Sequence, residues 1–524
     1  MRVVTANEAA GLIQNGWTVV PGGFGCCGHP EAVTAALGRR FRETGSPVNI
    51  NLLFAAGSGD RKGRGLDHLA QPGLVKRAVG GFWGFAPALG KLALEGAIEG
   101  HNWPQGVVSQ VFRATASRLP WIISRVGLNT FIDPDFEGGV MSASGVQPLV
   151  KKVVFDGETF LQFPTVRIDC AIIRGTRCDT SGNLTMDEEV SFQDSLAQAQ
   201  AARNAGGIVI AQVREIVPAG QLRPHEVRVP GALITHVVVA DTAEHPQTYA
   251  ESFNPAYVAA GPPEPQSPEL DPARQIITVR AVEELRKLSW PVVNLGIGIP
   301  ADIGAVAHAQ GVRDYTLTVE SGQFGGVPAK GLSFGASAHA VATIEQSALF
   351  DFYDGGGIDI AFLGFAQVDS QGDINVSHFQ GRAPGIGGFA NISRAAKRVV
   401  FCGTFSADGL DVHIDDGRLH VVKEGRIQKF VRKVERVSYS RAQGAAWRQA
   451  AMIITERAVF ELSDRFLKLL EIAPGVDIDR DIIAHVGSTI VVSDDLRFMD
   501  ISLFNVPNCT PINMPPLNSE LQII

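Results

Sequence analysis

Glu320 closes the apolar run Tyr315-Thr-Leu-Thr-Val319 and is followed at once by Ser321-Gly322-Gln-Phe-Gly325-Gly326-Val-Pro328. A carboxylate at the C-terminal end of a strand, overhung by backbone that glycine lets approach closely, stands where open α/β sheets bind ligands. Partly shielded from water there, it can act as a nucleophile toward an activated acyl group. It can equally be a hydrogen-bonded acid that only organises the loop, and the residues alone weigh the two alike.

Three glycine-rich turns add anion chemistry. Gly23-x-Gly25-x-x-Gly28 and Gly296-x-Gly298-x-x-Ala301 each follow a strand-like run and precede a helix-like one. In that setting, backbone N–H groups at a helix N-terminus meet a phosphate or another anion. Both fit the dinucleotide fingerprint, and Glu320 falls 22 residues past Gly298, about where a ribose-binding acid belongs. A nicotinamide-dependent oxidoreductase is therefore one reading. The third turn, Pro384-Gly385-Ile-Gly387-Gly388, precedes a helix expected over 391–396, and consecutive glycines there can expose N–H groups to an oxyanion.

Positioning these turns takes strands, and the strands repeat. Ile168-Asp-Cys-Ala-Ile-Ile-Arg-Gly-Thr-Arg-Cys-Asp179-Thr-Ser-Gly182 aligns without gaps with Ile358-Asp-Ile-Ala-Phe-Leu-Gly-Phe-Ala-Gln-Val-Asp369-Ser-Gln-Gly372, at a constant offset of 190 residues. Each copy runs a buried strand into an Asp-x-x-Gly turn. Thr18-Val-Val-Pro-Gly-Gly23 and Pro291-Val-Val-Asn-Leu-Gly296 open the two copies. Strand-length apolar runs at 48–54, 107–112, 208–213, 236–240, 315–319, 358–363 and 399–401 alternate with Ala-rich helical stretches, and helices are expected over 30–37 and 301–309. The pattern predicts an α/β protein of two related open domains with largely parallel sheets. The proline-rich stretch 261–275 suits a linker between domains at 1–260 and 276–524. Thr5-x-x-Glu8 reads as a capping box at the start of the first helix.

Composition narrows the function. A net charge of −8 over 524 residues argues against nucleic acid, whose phosphates need a concentrated basic surface. No apolar run approaches membrane-spanning length and the N-terminus lacks a secretory pattern, so a cytoplasmic protein is expected. The six cysteines show no zinc spacing, and no histidine pair has a ligand motif, so no metal is expected. Cys26 and Cys27 sit in a glycine-rich loop and read as packing residues. Asp187-Glu-Glu189 reads as a solvated helix start, and His29, His68, His101, His339 and His378 as loop residues.

Nearly the whole chain resembles the family I coenzyme A transferases, in particular the acetate/propionate, short-chain acyl-CoA group. Its most specific segments are Leu317-Thr-Val-Glu320-Ser-Gly-Gln-Phe-Gly-Gly-Val-Pro328, Asp351-Phe-Tyr-Asp-Gly-Gly-Gly-Ile-Asp359 and Gly385-Ile-Gly-Gly-Phe-Ala-Asn-Ile-Ser393, with Trp103-Pro-Gln105-Gly and Glu251-Ser-Phe-Asn-Pro-Ala-Tyr257 in the first half. The resemblance implies that Glu320 is the covalent nucleophile and that Gln105 and the N–H groups of Gly387 and Gly388 hold the reacting oxygens. It implies acyl-CoA and small carboxylic acids as substrates, with CoA passing Gly296, Gly298, Gly322, Gly325, Gly326 and Gly385. No cofactor is implied, since CoA is itself a substrate. A homo-oligomer is the expectation for such an enzyme. A thioester hydrolase on the same fold is the nearest alternative, distinguished by product that forms without an acceptor acid.

Overall fold

The computed structural model describes residues 1–142, 145–264, 269–379, 381–463, 466–487 and 489–504. Residues 265–268 of the expected linker and Cys509 lie outside them. The chain packs as two compact units that are interleaved along the sequence. The first holds Met1–Pro263, Val319–Phe352 and Gly381–Asn391; the second holds the described residues of Glu264–Thr318, Tyr353–Gln380 and Ile392–Ile524.

The first unit is built on strands β1 (Thr18–Pro21), β2 (Ile50–Ala56), β3 (Val75–Phe82), β4 (Glu99–Asn102), β5 (Cys170–Arg174), β6 (Ile208–Val213) and β7 (His236–Val239). They lie in the order β7-β6-β5-β1-β2-β3-β4, every neighbour parallel, with the short strand Arg2–Val3 outside β7. Helices α1 (Ala6–Leu12), α2 (Glu31–Thr44), α3 (Gln105–Ala116) and α4 (Ser195–Asn204) accompany the sheet. A parallel sheet buried on both faces needs unbroken apolar strands, which is what Val19, Val20, Leu52, Ile172, Ile173, Val209 and Ile210 supply. The Thr5 cap forms as the sequence suggests: its hydroxyl accepts from the Glu8 N–H (3.2 Å) while the Glu8 carboxylate accepts from the Thr5 N–H (2.8 Å).

The second unit carries β8 (Val292–Leu295), β9 (Thr316–Val319), β10 (Ile360–Leu363), β11 (Arg398–Cys402), β12 (Ala450–Ile454), β13 (Ala458–Leu462), β14 (Leu467–Ile472) and β15 (Ile490–Phe498), with α5 (Pro272–Arg286) and α6 (Ile303–Ala309). Their order is β9-β8-β10-β11-β12-β13-β14-β15, parallel from β9 to β12 and antiparallel on both sides of β13. In both units, strand order reverses next to the strand that ends in a Gly-x-Gly turn: β1 lies between β5 and β2, and β8 between β10 and β9.

The repeat at an offset of 190 residues is matched contact for contact. Asp169 accepts from the Thr18 N–H at 2.9 Å, and Asp359 accepts from the Val292 N–H at 2.9 Å, each tying the approach to one central strand to the start of the next. Asp179 takes the N–H groups of Ser181 and Asn183, and Asp369 those of Gln371 and Asp373. The turn glycines Gly182 and Gly372 both have positive φ, 93° and 76°. The two units are therefore copies of one α/β design.

Four expectations change. The run 107–112 is not a strand but the body of α3, because Val107, Val108, Val111 and Phe112 recur at helical spacing and all are buried along one face. The helix expected over 30–37 runs to Thr44. Asp187-Glu-Glu189 starts no helix, and Glu189 is buried against Arg174 (3.0 Å) and His245 (3.3 Å). His101 lies within β4 with its side chain fully buried, whereas His29 does lie in a loop, buried there against Ser58 (2.6 Å) and Thr34 (2.8 Å).

Burial alone pushes the Glu189 carboxyl up, but Arg174 and His245 outweigh that and hold it low. Removing one partner of such a buried pair strands the other charge. Glu189→Gln is expected to destabilise the protein by about 3–5 kcal/mol, seen as a lower thermal midpoint. A midpoint equal to that of the parent protein would show that Arg174 finds water or another acceptor.

Candidate active site

β9 ends at Val319, and the next residue, Glu320, belongs to the first unit together with Gln105, Gly388 and the residues that clamp them. The loop after it is fixed by its own polar groups. The Ser321 hydroxyl donates to the Gly335 carbonyl (2.7 Å), and the Gln323 amide donates to the Val190 carbonyl (2.5 Å). Gly322 has φ 122°, and a methyl group there would stand 2.0 Å from the Ile344 carbonyl oxygen, so only glycine fits. Helix α7 (Gln346–Asp354) follows, anchored where Asp194 accepts from the Ser109 hydroxyl (2.8 Å) and the Gln346 amide (2.7 Å).

Against this loop lies the turn Gly385–Gly388, which opens α8 (Phe389–Ala395). It is strapped to the ends of β3 and β4. The Trp83 N–H donates to the Pro384 carbonyl (2.7 Å), the Gly387 N–H donates to the Gly81 carbonyl (3.0 Å), and the Gln105 N–H donates to the Gly387 carbonyl (2.9 Å). Asn102 completes the clamp. Its carbonyl oxygen accepts from the Ile386 N–H (2.8 Å), and its amide donates to the carbonyls of Gly80 (2.8 Å) and Gly81 (2.5 Å).

The clamp sets Gly388 on the Glu320 carboxylate. A methyl group on Gly388 would stand 2.6 Å from Oε2 and 2.8 Å from Cδ of Glu320. Phe350 of α7 packs behind, with Cζ 3.2 Å from the same point. Among the described residues no hydrogen bond or ion pair reaches the Glu320 carboxylate, and its pKa is pushed up to about 7 by burial. An acid with neither a bound donor nor a cation keeps its lone pairs for an incoming group.

Gln105 is the first residue of α3 and is buried, and its side-chain Nε2 has no hydrogen-bond partner among the described residues. An orphaned buried donor is costly, and a ligand oxygen would satisfy it. The two glycines differ from expectation. The Gly387 N–H is engaged by Gly81, whereas that of Gly388 has no acceptor among the described residues.

Of the remaining expected residues, Gly322, Gly325, Gly326 and Gly385 share the first unit with Glu320, while Gly296 and Gly298 lie in the second. Gly385 and Gly326 are filled in by protein: methyl groups there would meet the Gly81 oxygen at 2.7 Å and the Ala338 oxygen at 2.4 Å. Gly296 donates its N–H to the Phe362 carbonyl (2.8 Å), and Gly298 has φ 87°. Cys26 and Cys27 are buried, which raises both thiols, Cys26 to about 12, so neither is a ready nucleophile. Asn102 was not singled out in the sequence; a short polar strand gives no sign that its last residue is a buried clamp.

Strand order alone keeps the dinucleotide reading alive, since β9 lies beside β8 as an acid-bearing second strand should. Comparison with known proteins separates the readings. A family model described as coenzyme A transferase matches residues 3–240. The acetate CoA-transferase YdiF of Escherichia coli (strain K12) is 39% identical over 508 residues, 96% of this chain and 95% of that protein. The caffeate CoA-transferase of Acetobacterium woodii is 40% identical over 514 residues, 96% and 97% of the two chains. The crystal structure of the acyl-CoA transferase YdiF apoenzyme from Escherichia coli O157:H7 superposes with a TM-score of 0.90 at 38% identity, covering 96% of each chain. A second structure of that protein is a thioester complex with CoA. Among the described residues no helix is long and apolar enough to cross a membrane. The two α/β copies and full-length similarity to enzymes of one activity lead to one assignment: the chain belongs to the family I coenzyme A transferases, enzymes that move CoA from an acyl thioester to a carboxylate.

Proposed function

We propose that Glu320 is the nucleophile of this CoA transferase and carries CoA as a glutamyl thioester during turnover. The observation that carries the reading is an unpartnered carboxylate, its pKa raised by burial, set against Gly388 in a clamp of six backbone and side-chain hydrogen bonds.

The Glu320 carboxylate attacks the thioester carbonyl carbon of an acyl-CoA. The C–S bond breaks, CoA leaves as thiolate, and a mixed anhydride joins Glu320 to the acyl group. The thiolate then attacks the glutamyl carbonyl, expelling the first acid as carboxylate and leaving glutamyl-CoA. An acceptor acid runs the two steps in reverse, which makes the kinetics ping-pong. Each addition builds a tetrahedral oxyanion, for which the Gly388 N–H and the Gln105 amide are the available donors. No metal or organic cofactor is required. Contacts to CoA are proposed at Gly322 and Gly325, which share the first unit with Glu320. A short-chain acyl-CoA donor and an acceptor such as acetate agree with the acetate CoA-transferase among the relatives, as do a cytoplasmic location and a homo-oligomer with the general habit of such enzymes.

Incubation with acetyl-CoA, trapping with hydroxylamine or borohydride, and mass spectrometry of the Glu320 peptide tests the reading. A modified peptide is expected. Acid release without acceptor and without adduct would point to hydrolysis instead. The same assignment fixes a pH dependence. Only the ionised carboxylate attacks, and burial holds its pKa at about 7, so kcat/KM is expected to fall about tenfold per unit as pH drops below that value and to level off above it. A profile flat from pH 5 to 8 would show the group ionised throughout.

A further inference from the structure

We infer that Asp194 is a positioning residue for this reaction: it bonds α3 and α7 to one another one helical turn behind the site, and so holds Gln105 in place against Glu320. The inference rests on Glu320 as the nucleophile and Gln105 as an oxyanion donor.

Asp194 directly precedes α4, the place from which an aspartate caps its own helix by accepting from the N–H two or three residues on. Its side chain makes no such bond. Instead it turns to two other helices. Its Oδ2 accepts from the Ser109 hydroxyl of α3 (2.8 Å) and from the Gln346 amide of α7 (2.7 Å), and the same amide reaches the Ser109 oxygen (2.8 Å). All three side chains are buried. Burial pushes the Asp194 carboxyl up to about 7, and no cation pairs with it among the described residues. An aspartate that gives up its cap and is buried without a counter-charge costs stability, and local rules are broken in this way where function needs the group.

Each anchor sits one turn from a residue of the site. Ser109 comes four residues after Gln105 on α3, and Gln346 four residues before Phe350 on α7, so each pair shares a helix face. The helices meet again at the level of the site. A methyl group on Gly106 would stand 2.5 Å from Cδ1 of Phe350, and the Gly106 N–H donates to the Asn391 amide oxygen (3.2 Å). Phe350 is also the ring behind Gly388 and the carboxylate. With α3 and α7 tied at one level and touching at the next, neither helix slides without moving Gln105 relative to Glu320. Asp194 is the acceptor the two helices share. The Arg113–Asp351 pair also joins them, but it is exposed, and exposed pairs contribute little.

The test follows the rate at which Glu320 acquires its adduct after rapid mixing with saturating acetyl-CoA, using the full chain, Asp194→Ala, Asp194→Asn, Gln105→Ala and the Asp194→Ala/Gln105→Ala double variant, with Asp351→Asn as the control. Asp194→Ala is expected to slow the adduct about 100-fold, the loss that follows a shift of about 1 Å. Asp194→Asn keeps an acceptor oxygen and is expected to stay within about fivefold of the parent protein, and Asp351→Asn within about twofold. In the Gln105→Ala background, Asp194→Ala is expected to cost less than about fivefold, because the donor it holds is gone. A residue that only supported the fold would give equal losses in both backgrounds. Such additivity, a loss below about fivefold in Asp194→Ala alone, or an asparagine as slow as the alanine overturns the inference. If Asp194→Ala does not fold, Ser109→Ala decides by the same comparison with and without Gln105→Ala. Where the parent protein forms no adduct, Glu320 fails as the nucleophile, and the same comparisons read on kcat for acetate exchange still decide for or against Asp194.

Discussion

Glu320→Gln is expected to lower kcat/KM for CoA transfer on the order of 10^4-fold or more, because the amide keeps the shape of the side chain but cannot form the anhydride. The same substitution is expected to make the protein more stable at alkaline pH. A carboxyl whose folded pKa is raised from 4.5 to about 7 stabilises the fold fully below the lower value and loses that contribution as pH climbs through the higher one. Glutamine carries no charge to bury. Its thermal midpoint is therefore expected to exceed that of the parent protein by about 2 °C at pH 8 and to match it at pH 5. Differential scanning calorimetry at the two pH values, beside a transfer assay, reads both effects. Loss of activity with an equal or lower midpoint at pH 8 would mean that the carboxylate is solvated or paired, and that its pKa is ordinary.

The second large effect is expected at Gly388. Its φ lies outside the left-handed region, so alanine is free of backbone strain there, and the new methyl group has one main conflict: it lands 2.6 Å from Glu320 Oε2. Either the carboxylate rotates away or the turn lifts, and misplacing a reacting atom by about 1 Å costs on the order of 100-fold in rate. Gly388→Ala is accordingly expected to lose about 10^2–10^3-fold in kcat with its fold intact by circular dichroism, and to give little trapped Glu320 adduct. Activity within tenfold of the parent protein would show that nothing in the chemistry depends on the closeness of these two residues.

Much of this was legible in the residues. The paired Asp-x-x-Gly turns disclosed the duplication because both their spacing and their chemistry recur, and Asp169 and Asp359 proved to make the same strand-to-strand bond. Glu320 drew notice as an acid at a strand end followed by glycines, but the residues alone left a loop-organising or a ribose-binding acid open beside a nucleophile. What stayed hidden depended on long-range geometry. The apolar run 107–112 satisfied a strand and a helix equally until α3 showed which face is buried. Glu189 looked solvated beside two other acids, and nothing local signals that Arg174, fifteen residues earlier, neutralises it in the interior. Asn102 and the engaged N–H of Gly387 belong to a clamp whose two halves lie 284 residues apart.

The first unit needs residues up to Asn391, although its main segment is finished at Pro263. During synthesis at about 5–20 residues per second, the parallel sheet can be complete roughly 6–25 s before the glycine turn that faces Glu320 has been made. A nascent chain in that interval has the scaffold and lacks a complete site, first without Glu320 and then without the turn that faces it, so the proposed chemistry with the surrounding acyl-CoA must wait until nearly three quarters of the chain exists.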